Sequence, residues 1–207
     1  MTALREDFYA RPVLDVAREL IGCIVEHRGV AGVIVETEAY HESEPACHAF
    51  VGRTPRTETL FGEPGRAYVY RSYGVHALLN AVCEPEGIGA AVLIRALAPV
   101  AGLEQMRVRR RPPGRAGGPA REQDLCSGPG KLTQALGVGL EENASCLSSG
   151  PILIRPRAGD WREPAVVQGT RIGITRAVEL RWRFCAAGSR HVSRPQPDRR
   201  GSTGPAP

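Results

Sequence analysis

The chain has 207 residues, 42% of them hydrophobic, a length and apolar share suited to one fairly large domain with its own core. No stretch approaches the roughly 18 apolar residues of a membrane span, which argues against a membrane-spanning helix. The net charge of +5 fits a polyanionic partner, although 26 of the 27 basic residues are arginine, a bias that GC-rich coding explains as readily as phosphate recognition.

The opening Met-Thr-Ala-Leu-Arg-Glu-Asp lacks the charged-then-apolar order of a signal peptide and points to a cytosolic protein, nuclear in a cell with a nucleus. From Arg11 to Gly22 the apolar residues Val13, Leu14, Ala17, Leu20 and Ile21 recur at helical spacing, with Pro12 suited to a first turn and Gly22 to a C-cap. Residues 21–25 and 31–40 read as two strands joined through Glu26-His-Arg-Gly29. The second ends Glu36-Thr-Glu38-Ala-Tyr40. Side chains two apart on a strand share a face, so two carboxylates and a phenol point the same way. They form either a solvated strand edge or a site, since two unpaired carboxylates are costly in a core.

Periodicity disappears from His41 to Pro64, a loop long enough to suggest function. His41, Cys47 and His48 approach no standard metal-ligand spacing, and the six cysteines contain no C-x-x-C pair, so free thiols and no metal are expected. Arg53 and Arg56 with Thr54 and Thr57 suit either phosphate contacts or a solvated turn held by Pro55. Residues 66–83 give a second strand, turn, strand signal with Gly74 in the turn. Tyr68 and Tyr70 share a face, Tyr68 reading as core. Tyr73 falls out of phase beside the turn, where an exposed ring needs a partner such as a stacked base.

Residues 90–97 read as a central strand interrupted by Arg95, a charge that calls for a carboxylate or phosphate partner. A short helix begins at Gly102, and Arg109 to Arg121 is a Pro/Gly/Arg loop. Ser127-Gly-Pro-Gly-Lys131 is a Gly-rich turn before a helix, without the glycine spacing of a Walker A loop. Lys131 is the only lysine, so Schiff-base chemistry through a lysine side chain has one candidate. Strands near Ile152–Ile154 and Ile172–Ile174 complete the sheet, giving one domain over residues 1–193. Residues 194–207 form a polar tail expected to be disordered.

Four motifs, Val35-Glu-Thr-Glu-Ala-Tyr40, Tyr68-Val-Tyr-x-x-Tyr73-Gly, Leu93-Ile-Arg95-Ala-Leu and Cys126-Ser-Gly-Pro-Gly-Lys131-Leu, occur in the order found in the alkyladenine (3-methyladenine) DNA glycosylases of the mammalian type. The resemblance runs over about residues 8 to 193. It implies a single α+β domain around a curved, mainly antiparallel sheet with peripheral helices and a protruding hairpin. The implied activity is flipping alkylated or deaminated purines out of double-stranded DNA and hydrolysing the N-glycosidic bond. The implied enzyme is a monomer with no cofactor, no metal and no membrane partner. Glu38 matches the general base and Arg95 the arginine near the attacking water and a backbone phosphate. Tyr40, His48 and Tyr70 match residues that hold the flipped base. Asn80 matches the residue that helps exclude the amino group of normal guanine. Tyr73 matches the ring that fills the vacated stack, and Thr54 and Lys131 match backbone-contacting positions, beside which Arg56 is placed on the DNA-backbone side by its residue type. Glu36 has no catalytic role in that assignment and would orient Arg95 or another arginine.

The chemistry accounts for these residue types independently. Breaking an N-glycosidic bond builds oxocarbenium charge, which calls for a nearby carboxylate and an activated water. Flat aromatic walls suit any purine and favour a cationic one. A noncatalytic DNA-binding module would give Glu38 no role, and a nucleosidase for free nucleosides would not need Tyr73.

Overall fold

The structure, a computed structural model, describes residues 2–72, 74–111, 120–157 and 165–195. In chain order the elements are helices α1 (Glu6–Tyr9) and α2 (Val13–Glu19), strands β1 (Ile24–His27), β2 (Val30–His41), β3 (Ala67–Ser72), β4 (His76–Val82) and β5 (Ala90–Ala101), helices α3 (Leu103–Arg109), α4 (Glu122–Leu125) and α5 (Pro129–Leu136), and strands β6 (Ile152–Arg155), β7 (Val166–Gly169) and β8 (Arg183–Ala186). Every strand pair is antiparallel, and the sheet runs β3-β4-β5-β2-β1-β6, with the β7–β8 pair joined to it through β8 and β2. This is the α+β class with a curled antiparallel sheet that the sequence implies.

The first helix signal forms over Val13–Glu19, with Pro12 at the N-cap rather than inside the first turn. Gly22 lies beyond the end of α2, where its φ of 92° turns the chain toward β1. The strand expected over residues 21–25 starts later, at Ile24, and closes with β2 through Arg28 and Gly29. Both turn residues have positive φ, 48° and 80°, which matches the two-residue turn that follows the natural strand twist.

α2 lies against β2 and β5, burying Val13, Val16 and Ala17 on that face. Thr37 anchors the contact by donating its hydroxyl to the Ala17 carbonyl at 2.7 Å. α5 covers β4 and β5, with Leu132, Ala135 and Leu136 wholly buried and the Thr133 hydroxyl on the Ala77 carbonyl at 2.7 Å. Tyr9, Ile34, Ile94, Leu97 and Phe184 fill the core between these layers. The loop after β2 carries two 3-10 turns, His48–Val51 and Glu58–Phe61, whose Ala49, Leu60 and Phe61 form a second, smaller core with Tyr68 and Val82.

One expected strand is absent. Residues 172–174 form a bend and irregular backbone instead, and the sheet is completed by β6 and by the short β7 and β8. Alternating apolar residues alone do not make a strand without a partner edge, and β2 gives its free edge to β8. The Arg109–Arg121 loop lies largely outside the described residues, as does the tail from residue 196 on.

Candidate active site

Two irregularities in the β2–β5 ladder build the centre of the site. Ile34 pairs with Leu97 and Glu36 with Ala96, which leaves Val35 unopposed. Thr37 then pairs with Ile94, which leaves Arg95 unopposed. The facing bulges compensate each other in register and re-aim the side chains beside them, as bulges near active sites commonly do. Beyond them the alternation holds. Thr37 and Ala39 face α2 and the core, while Glu36, Glu38 and Tyr40 face the other way.

That other face is not a solvated edge. Glu36 and Glu38 are both 0% exposed, and Arg95 between them is only 6% exposed. Arg95 donates from Nε to Glu36 Oε1 at 3.0 Å and from Nη1 to Glu38 Oε2 at 3.1 Å. Arg183, opposite Glu38 on β8, reaches diagonally to Glu36 Oε1 at 2.8 Å. The Ser193 amide and hydroxyl complete the coordination of Glu36, at 2.7 and 2.8 Å. Glu38 accepts from the Tyr40 hydroxyl at 2.9 Å on Oε2 and from the Ile172 amide at 2.7 Å on Oε1. Two carboxylates and two guanidiniums thus lie buried with their charges paired, the condition under which buried ions are tolerated.

The two glutamates differ in proton affinity. Burial pushes both upward. For Glu36 the guanidiniums of Arg95 and Arg183 and the Ser193 donors outweigh burial, and its pKa falls below the usual carboxylate value. For Glu38 burial dominates over Arg95, the Ile172 amide and the Tyr40 hydroxyl, and its pKa is raised. Of the two, Glu38 holds a proton more readily than Glu36.

Above this floor opens a cavity of about 640 Å³, bordered by Tyr40, His48, Arg56, Tyr70, Asn80, Arg95 and Ile172 among others. Tyr68 and Tyr70 stack at 5.3 Å between ring centroids, and the His48 ring meets Tyr70 edge-on at 4.6 Å. Among the described residues no ring contact joins Tyr40 to this trio, so Tyr40 borders the cavity as a separate wall. His48 Nε2 faces the Arg56 guanidinium at 3.5 Å, and Nδ1 lies 3.1 Å from the Tyr68 hydroxyl. Arg56 can only donate, which assigns the ring proton to Nδ1. Burial and then Arg56 lower the His48 pKa, keeping the ring neutral. Asn80 donates its amide nitrogen to the Tyr68 carbonyl at 3.0 Å. Arg71, Arg176 and Arg56, all exposed, stand at the rim.

Residues 7–190 match the family described as methylpurine-DNA glycosylase. The chain belongs to this family. A protein of Rhodopseudomonas palustris (strain HaA2) is 52% identical over 192 residues, which cover 93% of this chain and 90% of that one. One from Bradyrhizobium diazoefficiens is 50% identical over 197 residues (94% and 92% covered), and one from Methanoculleus marisnigri 46% over 192 (90% and 96%). All three are provisionally named 3-methyladenine DNA glycosylase. The chain is thereby a monofunctional DNA glycosylase, a DNA-repair enzyme whose substrate is DNA.

Within this glycosylase the structure brings together Glu38, Arg95, Tyr40, His48, Tyr70, Asn80 and Arg56. Glu38 does not itself border the cavity. It lies directly beneath Tyr40, Arg95 and Ile172, which do. Thr54 is taken up in a local turn, its amide and hydroxyl both on the Thr57 hydroxyl at 2.8 and 3.0 Å. Lys131 is exposed, with Nζ 3.3 Å from the Ser127 hydroxyl, while its neighbours Pro129 and Gly130 reach the cavity. Tyr73 lies outside the described residues. Among the described residues no group of three His, Cys, Asp or Glu side chains converges as a metal site. No described helix is long and apolar enough to cross a membrane.

Three contributors escape the sequence reading: Arg183, Ser193 and the Ile172 amide. Arg183 carries the signal that singled out Arg95, one charge in an apolar run from Trp182 to Ala187, and could have been found. A backbone amide has no side-chain signature.

Proposed function

We propose that this glycosylase extrudes an alkylated or deaminated purine from double-stranded DNA into the aromatic cavity and hydrolyses its N-glycosidic bond with a water activated by Glu38. The observation that carries the proposal is a buried carboxylate, bonded to Arg95, the Tyr40 hydroxyl and the Ile172 amide, directly beneath an aromatic cavity. Tyr40, His48 and Tyr70 line the space that holds the base, His48 standing edge-on to Tyr70 so that only one of these two rings can stack on it. Asn80 screens its edge. Both oxygens of Glu38 carry a hydrogen bond before substrate enters, and displacing the Tyr40 hydroxyl from Oε2 would open that oxygen to a water held also by Arg95. Water attacks C1′ and its proton passes to Glu38 while the C1′–N bond breaks; a cationic alkylated purine leaves as the neutral base, and a deaminated one leaves as its anion and takes a proton from solvent. Arg95 balances the carboxylate while positive charge grows on the sugar.

No lysine enters this path, so base loss leaves an abasic site in an uncut strand. The enzyme works as a monomer on cytoplasmic DNA, with Tyr73 filling the gap in the stack and Arg56, Thr54 and Lys131 along the backbone. Base release from duplex DNA carrying methylated, deaminated or etheno purines tests the proposal. Free base with an uncut strand is expected for at least one lesion class. Tight binding without release, release from free nucleosides alone, or a borohydride-trapped adduct would contradict it.

A further inference from the structure

A second buried ion pair lies behind Tyr40, and nothing in the proposed reaction uses it. The Arg171 side chain is 0% exposed and grips Glu44 with two prongs, Nη1 to Oε1 at 2.6 Å and Nη2 to Oε2 at 2.9 Å. Nη1 also donates to the Ala39 carbonyl at 3.0 Å, next to Tyr40 in β2, and Nη2 lies 3.4 Å from the Ala177 carbonyl. The guanidinium carbon sits 4.7 Å from the centroid of the Tyr40 ring and 5.3 Å from that of Trp182. Tyr40 borders the cavity and Arg171 does not, so the guanidinium meets the Tyr40 ring from behind the cavity lining.

An aromatic face attracts a cation through the electron density above the ring. A cation already seated on the opposite face draws on that density and repels the newcomer, and in a buried wall little screens the repulsion. Here Glu44 cancels the charge of Arg171. We propose that Glu44 and Arg171 together set the lesion-charge preference of the pocket: the neutralised guanidinium fixes the Tyr40 wall by stacking, and Glu44 keeps that wall receptive to a positively charged alkylated purine. This rests on the reading of Tyr40 as a wall of the base pocket. Both residues are positioning residues, acting through the Tyr40 ring.

The test is single-turnover excision by the full chain from duplex DNA containing either 7-methylguanine, cationic as a nucleotide, or hypoxanthine, which is neutral. Glu44→Gln, which leaves the guanidinium uncompensated, is expected to lower the ratio of 7-methylguanine to hypoxanthine rates by about threefold to tenfold relative to the unmodified protein. The double variant Arg171→Met/Glu44→Gln, which removes the cation and both charges, is expected to return that ratio to its original value or above. Removing a buried pair whole is tolerated far better than removing half, so a lowered ratio in the double variant overturns the inference even if the single variant does not fold. A purely structural role would slow both substrates alike. An unchanged ratio in Glu44→Gln, or a lowered ratio in the double variant, overturns the inference. Tyr40→Leu separates the two levels: undiminished excision of both lesions would instead remove Tyr40 from the pocket reading.

Discussion

At the residue scale the site depends on how one carboxylate is held apart from its neighbour. Glu36 and Glu38 share Arg95, yet Glu36 is pinned by four donors and Glu38 keeps a raised pKa. A general base works only when ionised, so activity should fall as pH drops through the Glu38 value, above the ordinary 4.5. The Tyr40 hydroxyl is among the groups that hold this value down. Tyr40→Phe keeps the ring and removes the donor, and the acid limb of the kcat/KM profile, which reports the free enzyme where that bond is intact, should move to higher pH. An unmoved limb would mean that Glu38 is not the titrating base. Glu36 acts on stability. Its lowered folded-state pKa means that its network contributes above the unfolded value and is lost as pH falls through the lower, folded one. Glu38, with its pKa raised, contributes in the opposite sense. Glu36→Gln leaves Arg183 without a carboxylate and should cost about 3–5 kcal/mol at neutral pH, measured by denaturant unfolding. The cost should shrink on acidification. A pH-independent cost would contradict this assignment.

At the scale of elements, β2 organises the molecule. It pairs with β1 at its start, with β5 along its length and with β8 beside the two glutamates. Its alternation was legible in the sequence, as were the β3–β4 hairpin and Arg95, because a half-buried strand with charges on one face has a plain pattern. The facing bulges were not legible, since a one-residue mismatch leaves no mark in either strand alone. β7 and β8, four residues each, are too short to outvote their surroundings, and the 172–174 bend imitated a strand while serving Glu38 through an amide. Tight packing also positions the cavity wall. A Cβ on Gly89, just before β5, would sit 2.5 Å from the Ala49 Cβ and 2.9 Å from the Phe61 ring. Ala49 belongs to the 3-10 turn that carries His48. Gly89→Ala should therefore cost about 1–3 kcal/mol, lowering the melting temperature, and should slow base excision by displacing His48. A melting temperature unchanged from the original would show that the turn gives way freely.

At the scale of the whole molecule, the cavity opens between the 3-10 turns, the β3–β4 hairpin and the start of α5, with exposed Arg56, Arg71 and Arg176 at its rim. Net charge alone left the nature of the partner open, and coding bias explained the arginine excess equally well. The arrangement is more informative than the count: arginines gather around an aromatic cavity whose floor is a balanced pair of glutamates and guanidiniums. That layout suits a polyanion held at the rim and a base drawn inward. The four sequence motifs pointed to the same family that residues 7–190 match. The division of labour inside the floor is what they could not supply. The most direct measurement is single-turnover base release from duplex DNA by Glu38→Gln beside the original protein, with binding to the same DNA followed in parallel. Near-complete loss of release with binding preserved is the expected result, and release at a comparable rate would contradict the assignment of Glu38 as the base.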